Sequence, residues 1–175
     1  MAKLTSDPLL AIAKAIVWFL LGIVAFAGFF VALGAVTMLL YGTGLFPDIQ
    51  QPDLPRSMGF AAAGLLAAIA GLLYLGWRFF RHMLGIVNSV AEGDPFAPAN
   101  ADRLTGMAWL MLAINVLVLP IAGLGVWMAK TLGEDPGTVD ASVDLGGIVL
   151  ILTLFILARV FRHGTALRED LEGTV

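Results

Sequence analysis

The residues of this chain that are able to do chemistry are few and scattered. Its two histidines, His82 and His163, each follow an arginine in a basic segment, which disfavours both metal binding and general-base catalysis. The sequence has no H-E-x-x-H, no G-x-S-x-G and no phosphate-binding glycine loop before a lysine. The serines have no base near them along the chain: Ser6, Ser57, Ser89 and Ser142. We therefore predict that the protein is not an enzyme and has no catalytic, cofactor-binding or metal-binding residues.

The composition points to a lipid environment. Of the 175 residues, 59% are hydrophobic and 13% are charged, with a mean hydropathy of +0.93. Soluble domains carry about 25% charged residues, so this chain has too little polar surface to cover a fold in water. The absence of cysteine excludes a disulfide framework and a thiolate metal site. The net charge of −3 disfavours direct nucleic-acid binding.

Four runs of the sequence contain no charged residue, at 15–47, 57–77, 104–129 and 145–158. A helix needs roughly 20 apolar residues to cross about 30 Å of hydrocarbon. The fourth run is long enough if Arg159 lies near an interface with its guanidinium among the headgroups. The predicted fold is all-α and membrane-integral, a single domain over residues 1–175 with a bundle of four transmembrane helices. The predicted spans are about 11–41, 57–78, 104–129 and 144–161, and residues 79–103 form a cytoplasmic turn that includes an amphipathic extension of helix 2.

Basic residues are distributed unevenly between the two sides of this four-span arrangement. Arg56 and Lys130 fall on one side, and the other eight of the ten fall on the opposite side. Those eight are Lys3, Lys14, Arg78, Arg81, Arg103, Arg159, Arg162 and Arg168. Because lysine and arginine are retained on the cytoplasmic side, this bias predicts a multi-pass protein with both termini in the cytoplasm.

The central segment EGDPFAPANADRL, at residues 92–104, is polar and rich in turn-forming residues. Gly93 is suited to end the incoming helix, and Pro95 cannot continue it. Asn100 is predicted to be the N-cap of the third span, after Pro98. We expect Phe96, the only large apolar residue of the turn, to fold back against the helix ends.

Helix 2 is predicted to continue beyond its span as an amphipathic segment that ends near Ala91. Apolar residues recur there at helical spacing: Phe79, Met83, Ile86 or Val87, and Val90. Asn88 and Ser89 fall on other faces. The apolar face has three alternative roles, which are contact with anionic headgroups, packing under the bundle, and binding of a soluble partner.

Two features inside the predicted spans bear on helix packing. Small residues recur every four positions in the second span, at Gly59, Ala63, Ala67 and Gly71. This helix-packing stripe permits close approach of a neighbouring helix, either within the bundle or in a homodimer. In the third span, Pro120 leaves the carbonyl of Val116 without its backbone donor and favours a kink. Asn115 is predicted to hydrogen-bond between helices, with ligand contact as the alternative.

Two segments carry a family resemblance. GDPFAPANADRL at 93–104 and VFRHGTALREDLEGTV at 160–175 resemble the bacterial membrane family catalogued as domain of unknown function 2975. Its members have four spans, a central G-x-PF-x-x-x-N-x-x-RL turn and a terminal F-R-x-G-x-x-L-x-x-D segment that ends in threonine-valine. The matching positions are Gly93, Pro95, Phe96, Asn100, Arg103, Leu104, Phe161, Arg162, Gly164, Leu167, Asp170, Thr174 and Val175. The resemblance implies a bacterial inner-membrane protein with no established activity, and by association a small helix-turn-helix regulator of the Xre type as partner.

The two motifs define a candidate cytoplasmic interaction surface. It comprises Asp94, Pro95, Phe96, Asn100, Arg103, Arg162, Arg168 and Asp170. One interpretation is a polar layer that holds the helix ends in register, although individual exposed ion pairs contribute only about 0–1 kcal/mol. The other interpretation is a docking surface for a partner.

The leading functional hypothesis is a non-catalytic regulatory or scaffolding protein that works through its cytoplasmic face. Its expected partners are membrane lipid and a cytoplasmic DNA-binding regulator. The alternative is a small transporter, channel subunit or lipid-binding oligomer, assembled as a homo-oligomer through the helix-packing stripe and with a cavity near Asn115 and Pro120. No aspartate or glutamate lies within the four charge-free runs, which disfavours a carrier coupled to protons or sodium.

Overall fold

The computed structural model describes residues 8–45, 55–135 and 145–172, and every regular element within these ranges is an α-helix. Helix α1 spans Pro8–Thr43, α2 spans Arg56–Ala91, α3 spans Pro98–Thr131 and α4 spans Leu145–Glu172. The predicted all-α class with four long apolar helices is confirmed. Some residues of the sequence analysis lie outside the described ranges: Lys3, Ser6, Ser142, residue 144 of the predicted fourth span, Thr174 and Val175.

Glycine ends α2 and α3 through the same hydrogen-bond pattern. Gly93 has a φ of +88°, its N–H donates to Val90 O at 3.1 Å, and the Asp94 N–H donates to Ser89 O at 3.0 Å. These two bonds form a Schellman motif, which needs the left-handed conformation that glycine adopts without a steric penalty. Gly133, with a φ of +75°, repeats the pattern at the end of α3. The predicted role of Gly93 is therefore confirmed.

The prediction that Asn100 is the N-cap of α3 is wrong. The helix begins at Pro98, so Asn100 is its third residue, and the Asn100 N–H donates to Ala97 O at 2.8 Å. Proline is favoured as the first residue of a helix because its fixed φ suits the helix and the missing N–H is not needed there. Asn100 is thereby freed to turn its side chain towards α2.

Among the described residues, the first compact unit of the fold contains 8–23, 76–113 and 145–172. Leu104, Met107 and Ala108 of α3 pack with Leu154 and Ala158 of α4. Three apolar residues of α2 pack against this cluster: Phe79, Met83 and Ile86. A second cluster joins Val17 and Leu21 of α1 to Leu84 of α2.

The amphipathic extension of α2 therefore packs its apolar face within this first unit, which is one of the three roles predicted for it. The helix does run to Ala91, as its spacing predicts. Ser89 departs from the expectation, because its side chain is buried rather than turned away from the packed face. The reason is its hydrogen bond to α3, described below.

Among the described residues, the second compact unit contains 24–45, 55–75 and 114–135. Here α1 and α2 approach so closely that a β-carbon on Gly59 would lie 2.8 Å from Tyr41 Cδ1 and 2.9 Å from the backbone nitrogen of Gly42. Ala63, one turn later, is buried. Ala67 and Gly71 are exposed, so only the first half of the helix-packing stripe meets α1. Whether the exposed half contacts a second copy stays a prediction.

All four helices are long and apolar enough to cross a membrane. Large apolar side chains are exposed along them, including Phe19, Phe26 and Phe29 of α1 and Ile156 of α4. In water such surface would be very unfavourable, whereas hydrocarbon solvates it. Pro120 lies inside α3, as predicted, and both Pro120 and Val116 are exposed. The described helices thus have the surface of a protein immersed in lipid.

Candidate interaction surface

The centre of the candidate surface is a buried hydrogen-bond network around Asn100. Its Nδ2 donates to Ser89 Oγ at 2.6 Å and to Pro95 O at 3.0 Å. Its Oδ1 accepts from Arg103 Nη1 at 2.7 Å. The side chain has 0% exposure, and a buried amide is stabilising only when its donors and acceptor are satisfied. Asn100 therefore fastens the end of α2, the turn and the start of α3 to one another.

Arg103 extends this network to the backbone of α2. The same Nη1 that donates to Asn100 also donates to Gly85 O at 3.0 Å. A β-carbon on Gly85 would lie 2.7 Å from Arg103 Nε, so the glycine makes room for the guanidinium. We call the set Ser89, Pro95, Asn100, Arg103 and Gly85 the Asn100 clamp.

Phe96 connects the turn to α4. Its ring centroid lies 5.4 Å from that of Phe161, and its side chain would lie 3.2 Å from a β-carbon on Gly164. The hydroxyl of Thr165 lies 3.0 Å from Phe96 O and 2.9 Å from Phe161 O, so either carbonyl can accept its proton. The prediction that Phe96 folds back against the helix ends is confirmed.

Two ion pairs lie outside the clamp and are exposed. Arg168 Nη1 is 2.6 Å from Asp94 Oδ1, with the side chains 50% and 45% exposed. Arg162 Nη2 is 3.8 Å from Asp102 Oδ1, with the side chains 65% and 83% exposed. Pairs as open as these contribute about 0–1 kcal/mol each to the free energy of unfolding. Asp170 is exposed further along α4.

The structure thus divides the predicted surface into an inner and an outer part. Asn100 and Arg103, with the Pro95 carbonyl, belong to the buried clamp, whereas Asp94, Arg162, Arg168 and Asp170 remain accessible to another molecule. Sequence reasoning missed Ser89, Gly85 and Thr165. For Gly85 a signal existed, because a glycine inside a helical pattern indicates close approach of another group. Ser89 and Thr165 have no comparable signal.

The chemistry available at this surface is charge pairing and hydrogen bonding. Within the described ranges, no three side chains among histidine, aspartate and glutamate gather closely enough to hold a metal ion. Four long apolar helices and a polar connection between α2 and α3 define an all-α, multi-pass membrane protein.

The family model for "Protein of unknown function (DUF2975)" matches residues 41–175, and the chain belongs to that family. The resemblance drawn from the two motifs is thereby confirmed. No curated protein and no solved structure is significantly similar to the chain.

Proposed function

We propose that this protein is a non-catalytic regulatory or scaffolding protein of the bacterial inner membrane. Its working surface is the outer part of the candidate interaction surface, formed by Asp94, Arg162, Arg168 and Asp170, and this surface faces the cytoplasm. Its partner is a soluble protein that carries complementary charges.

The cytoplasmic placement is supported by the basic residues of the first compact unit. Arg78 and Arg81 of α2 and Arg159 and Arg162 of α4 follow the apolar parts of their helices, and all four are exposed. The Arg81 guanidinium lies 5.0 Å from the Trp77 ring centroid, a pairing suited to the membrane interface. Since arginine is enriched on the cytoplasmic side, these helix ends and the turn between α2 and α3 are assigned to the cytoplasm.

The observation that supports this proposal is that the exposed charged side chains do not take part in the buried Asn100 clamp. The Asn100 clamp already connects α2 to α3, and the Phe96 contacts already connect the turn to α4. The ion pairs Asp94–Arg168 and Arg162–Asp102 therefore add little to the fold. Accessible opposite charges on a rigid support are suited to select a partner and to accelerate its association.

The partner that the resemblance implies is a small helix-turn-helix regulator. A membrane protein that holds such a regulator would keep it from its operator, or release it on a signal. The binding of DNA then belongs to the partner and not to this chain.

The experiment that tests this proposal uses a charge swap. A small helix-turn-helix regulator of the Xre type, the class of partner that the resemblance implies, is purified, and its affinity for the protein in nanodiscs is measured. Arg168→Glu removes the pair and inverts one charge of the surface, while the double variant Asp94→Arg with Arg168→Asp restores a pair of inverted polarity. We expect both variants to bind at least about tenfold more weakly, a loss of about 1.4 kcal/mol.

Two controls separate docking from a structural effect. The double variant should change the melting temperature of the native protein little, because exposed ion pairs contribute only about 0–1 kcal/mol to stability. Arg81→Glu changes an exposed arginine outside the surface and should leave the affinity unchanged. If the regulator does not bind the native protein, or binds all four proteins alike, the proposed docking surface is wrong.

A homo-oligomeric transporter, channel subunit or lipid-binding assembly is the second candidate function, and one observation favours it. Ala67 and Gly71 are exposed on α2, next to a groove of about 430 Å³ lined by α1 and α2 residues such as Leu39, Phe60 and Gly64. An exposed small-residue face permits close packing of another helix. A detergent-corrected mass equal to one chain would exclude this alternative.

A further inference from the structure

A groove of about 460 Å³ lies between α3 and α4 in the first compact unit. Thr105 lines it on α3, and six residues line it on α4: Phe155, Ala158, Arg159, Arg162, His163 and Ala166. The six α4 residues recur at intervals of three and four positions, so they share one face of the helix. We call this feature the α3–α4 groove.

The basic groups of the groove have few partners in the protein. Neither Arg159 nor His163 makes a hydrogen bond or an ion pair with any residue in the described ranges. The contact of Arg162 is the long, exposed one to Asp102 at 3.8 Å. Among the described residues no carboxylate lines the groove itself, and Asp102 belongs to an adjoining hollow. The groove therefore presents an excess of positive charge with unused hydrogen-bond donors.

The other end of the groove is apolar. Ala158 is buried at its base, and Phe155 forms part of its wall. Both belong to the charge-free run 145–158, whereas the three basic residues follow it. From Phe155 to His163 the helix rises about 12 Å, at 1.5 Å per residue. The groove thus extends from the hydrocarbon depth of the helix into the headgroup layer, which is about 5–8 Å thick in each leaflet.

We propose that the α3–α4 groove binds one anionic phospholipid. The phosphate diester accepts hydrogen bonds from Arg159 and Arg162, with His163 beside them, and one acyl chain lies against Phe155 and Ala158. Guanidinium groups bind phosphate in a bidentate geometry, and basic pockets between transmembrane helices hold anionic headgroups. A free phosphate shares the headgroup chemistry, but it would leave the apolar half of the groove unused.

This inference does not depend on the proposed docking of a soluble partner. Arg159 and His163 are not part of the candidate interaction surface, and Arg162 is left unchanged in the experiment below. The experiment therefore tests the lipid site alone, whereas Arg162 belongs to both proposals, so a bound lipid and a docked partner would compete for its guanidinium.

Trp109 provides a probe beside the groove. Its ring centroid is 5.6 Å from that of Phe155, at an interplanar angle of 84°. A variant in which Trp18, Trp77 and Trp127 are replaced by phenylalanine keeps Trp109 as the single tryptophan. It is reconstituted into phosphatidylcholine vesicles that contain a fixed small fraction of either brominated phosphatidylglycerol or brominated phosphatidylcholine. Quenching of Trp109 then reports the relative affinity of the two lipids for the groove.

We expect brominated phosphatidylglycerol to quench Trp109 more strongly than brominated phosphatidylcholine. Arg159→Gln should lower the relative affinity for phosphatidylglycerol about fivefold, the amount typical of one basic residue near an anionic surface.

Ala166→Phe retains every charge but fills the groove, because Ala166 also lines it, and it should abolish the preference. Arg159→Lys should retain the preference. Arg78→Gln, which changes an exposed arginine outside the groove, is the matched control and should have no effect.

Each outcome of the quenching experiment either supports the lipid proposal or overturns it. Equal quenching by the two lipids in the unmodified single-tryptophan protein would overturn the proposal. An equal loss in Arg78→Gln and Arg159→Gln, or retention of the preference in Ala166→Phe, would overturn it as well, because general surface charge would then explain the result. Excess inorganic phosphate should leave the quenching unchanged. If phosphate protects the protein against thermal unfolding while no lipid preference exists, the groove binds free phosphate and the lipid assignment is wrong.

Each variant is checked for helix content by circular dichroism before it is used. If Arg159→Gln does not fold, the comparison of Ala166→Phe with the unmodified single-tryptophan protein carries the same test, because it removes no charge from the groove.

Discussion

Asn100 Nδ2 lies 2.6 Å from Ser89 Oγ, and this contact fastens the start of α3 to the end of α2. The Ser89 hydroxyl in turn donates to Ile86 O at 2.9 Å, so its proton is used within α2 while its oxygen accepts from Asn100. The bond is short and buried. It joins the last turn of α2, before Gly93, to the first turn of α3. It explains how a polar turn is held rigidly against apolar helices.

Replacement of Asn100 by alanine should destabilise the protein by about 2 kcal/mol. The variant leaves the buried Ser89 Oγ and the Pro95 carbonyl without the donor that Asn100 provides, while Arg103 keeps only Gly85 O as acceptor. Each unsatisfied buried group costs about 1–3 kcal/mol. Denaturation in mixed detergent micelles measures the change in the free energy of unfolding. Asn88→Ala, a half-buried asparagine on the same helix as Ser89, is the matched control and should change this quantity little. Equal losses in the two variants would contradict the clamp.

Gly93→Ala should destabilise the end of α2 by about 1 kcal/mol, because alanine is strained at the φ of +88° that the Schellman motif requires. Gly76 lies within α2, and a β-carbon there would meet nothing within 4 Å. Gly76→Ala should therefore leave the melting temperature unchanged or raise it. A comparison of the two melting temperatures in detergent tests both statements, and the same effect in both variants would argue against the left-handed turn.

Gly59→Ala should lower the stability by about 1–3 kcal/mol, because the added β-carbon meets the backbone of Gly42, which cannot move without separating α1 from α2. Gly71→Ala changes the exposed end of the same stripe and should have little effect on a single chain. Thermal unfolding of both variants gives the comparison. If Gly71→Ala were the more harmful, the exposed end would be buried in an oligomer, and the detergent-corrected mass would confirm that.

Phe96 and Phe161 should be energetically coupled. Their ring centroids are 5.4 Å apart, and such aromatic pairs contribute about 0.5–1.5 kcal/mol beyond the apolar area that they bury. A double-mutant cycle with Phe96→Leu and Phe161→Leu measures this coupling energy. Additive effects of the two substitutions would show that Phe96 is not anchored to α4 by its ring.

The sequence alone determined the helices and their class. Hydropathy, charge and helix breakers are local properties, so the charge-free runs, Gly93 and the apolar spacing from Phe79 to Val90 were sufficient to predict four long helices and the extension of α2. The two motifs also identified the family correctly. The position of Phe96 was predictable because a lone phenylalanine in a polar turn is stabilised by packing its ring against a nearby apolar side chain, here Phe161.

Only the tertiary structure decided which side chains meet. Arg168 and Asp94 are separated by 74 positions, and the rotation of α4 about its axis, which composition does not specify, brings them together. Asparagine is a common N-cap residue, but Asn100 instead donates a hydrogen bond to Ser89 of α2. The reason is that α3 begins at Pro98, so Asn100 lies within the first helical turn and its amide faces Ser89. Gly59 and Gly71 are identical in type and spacing, but only Gly59 lies where α1 and α2 are in contact. Contacts between distant residues depend on helix orientation and crossing, which result from the packing of the whole chain and not from any local segment.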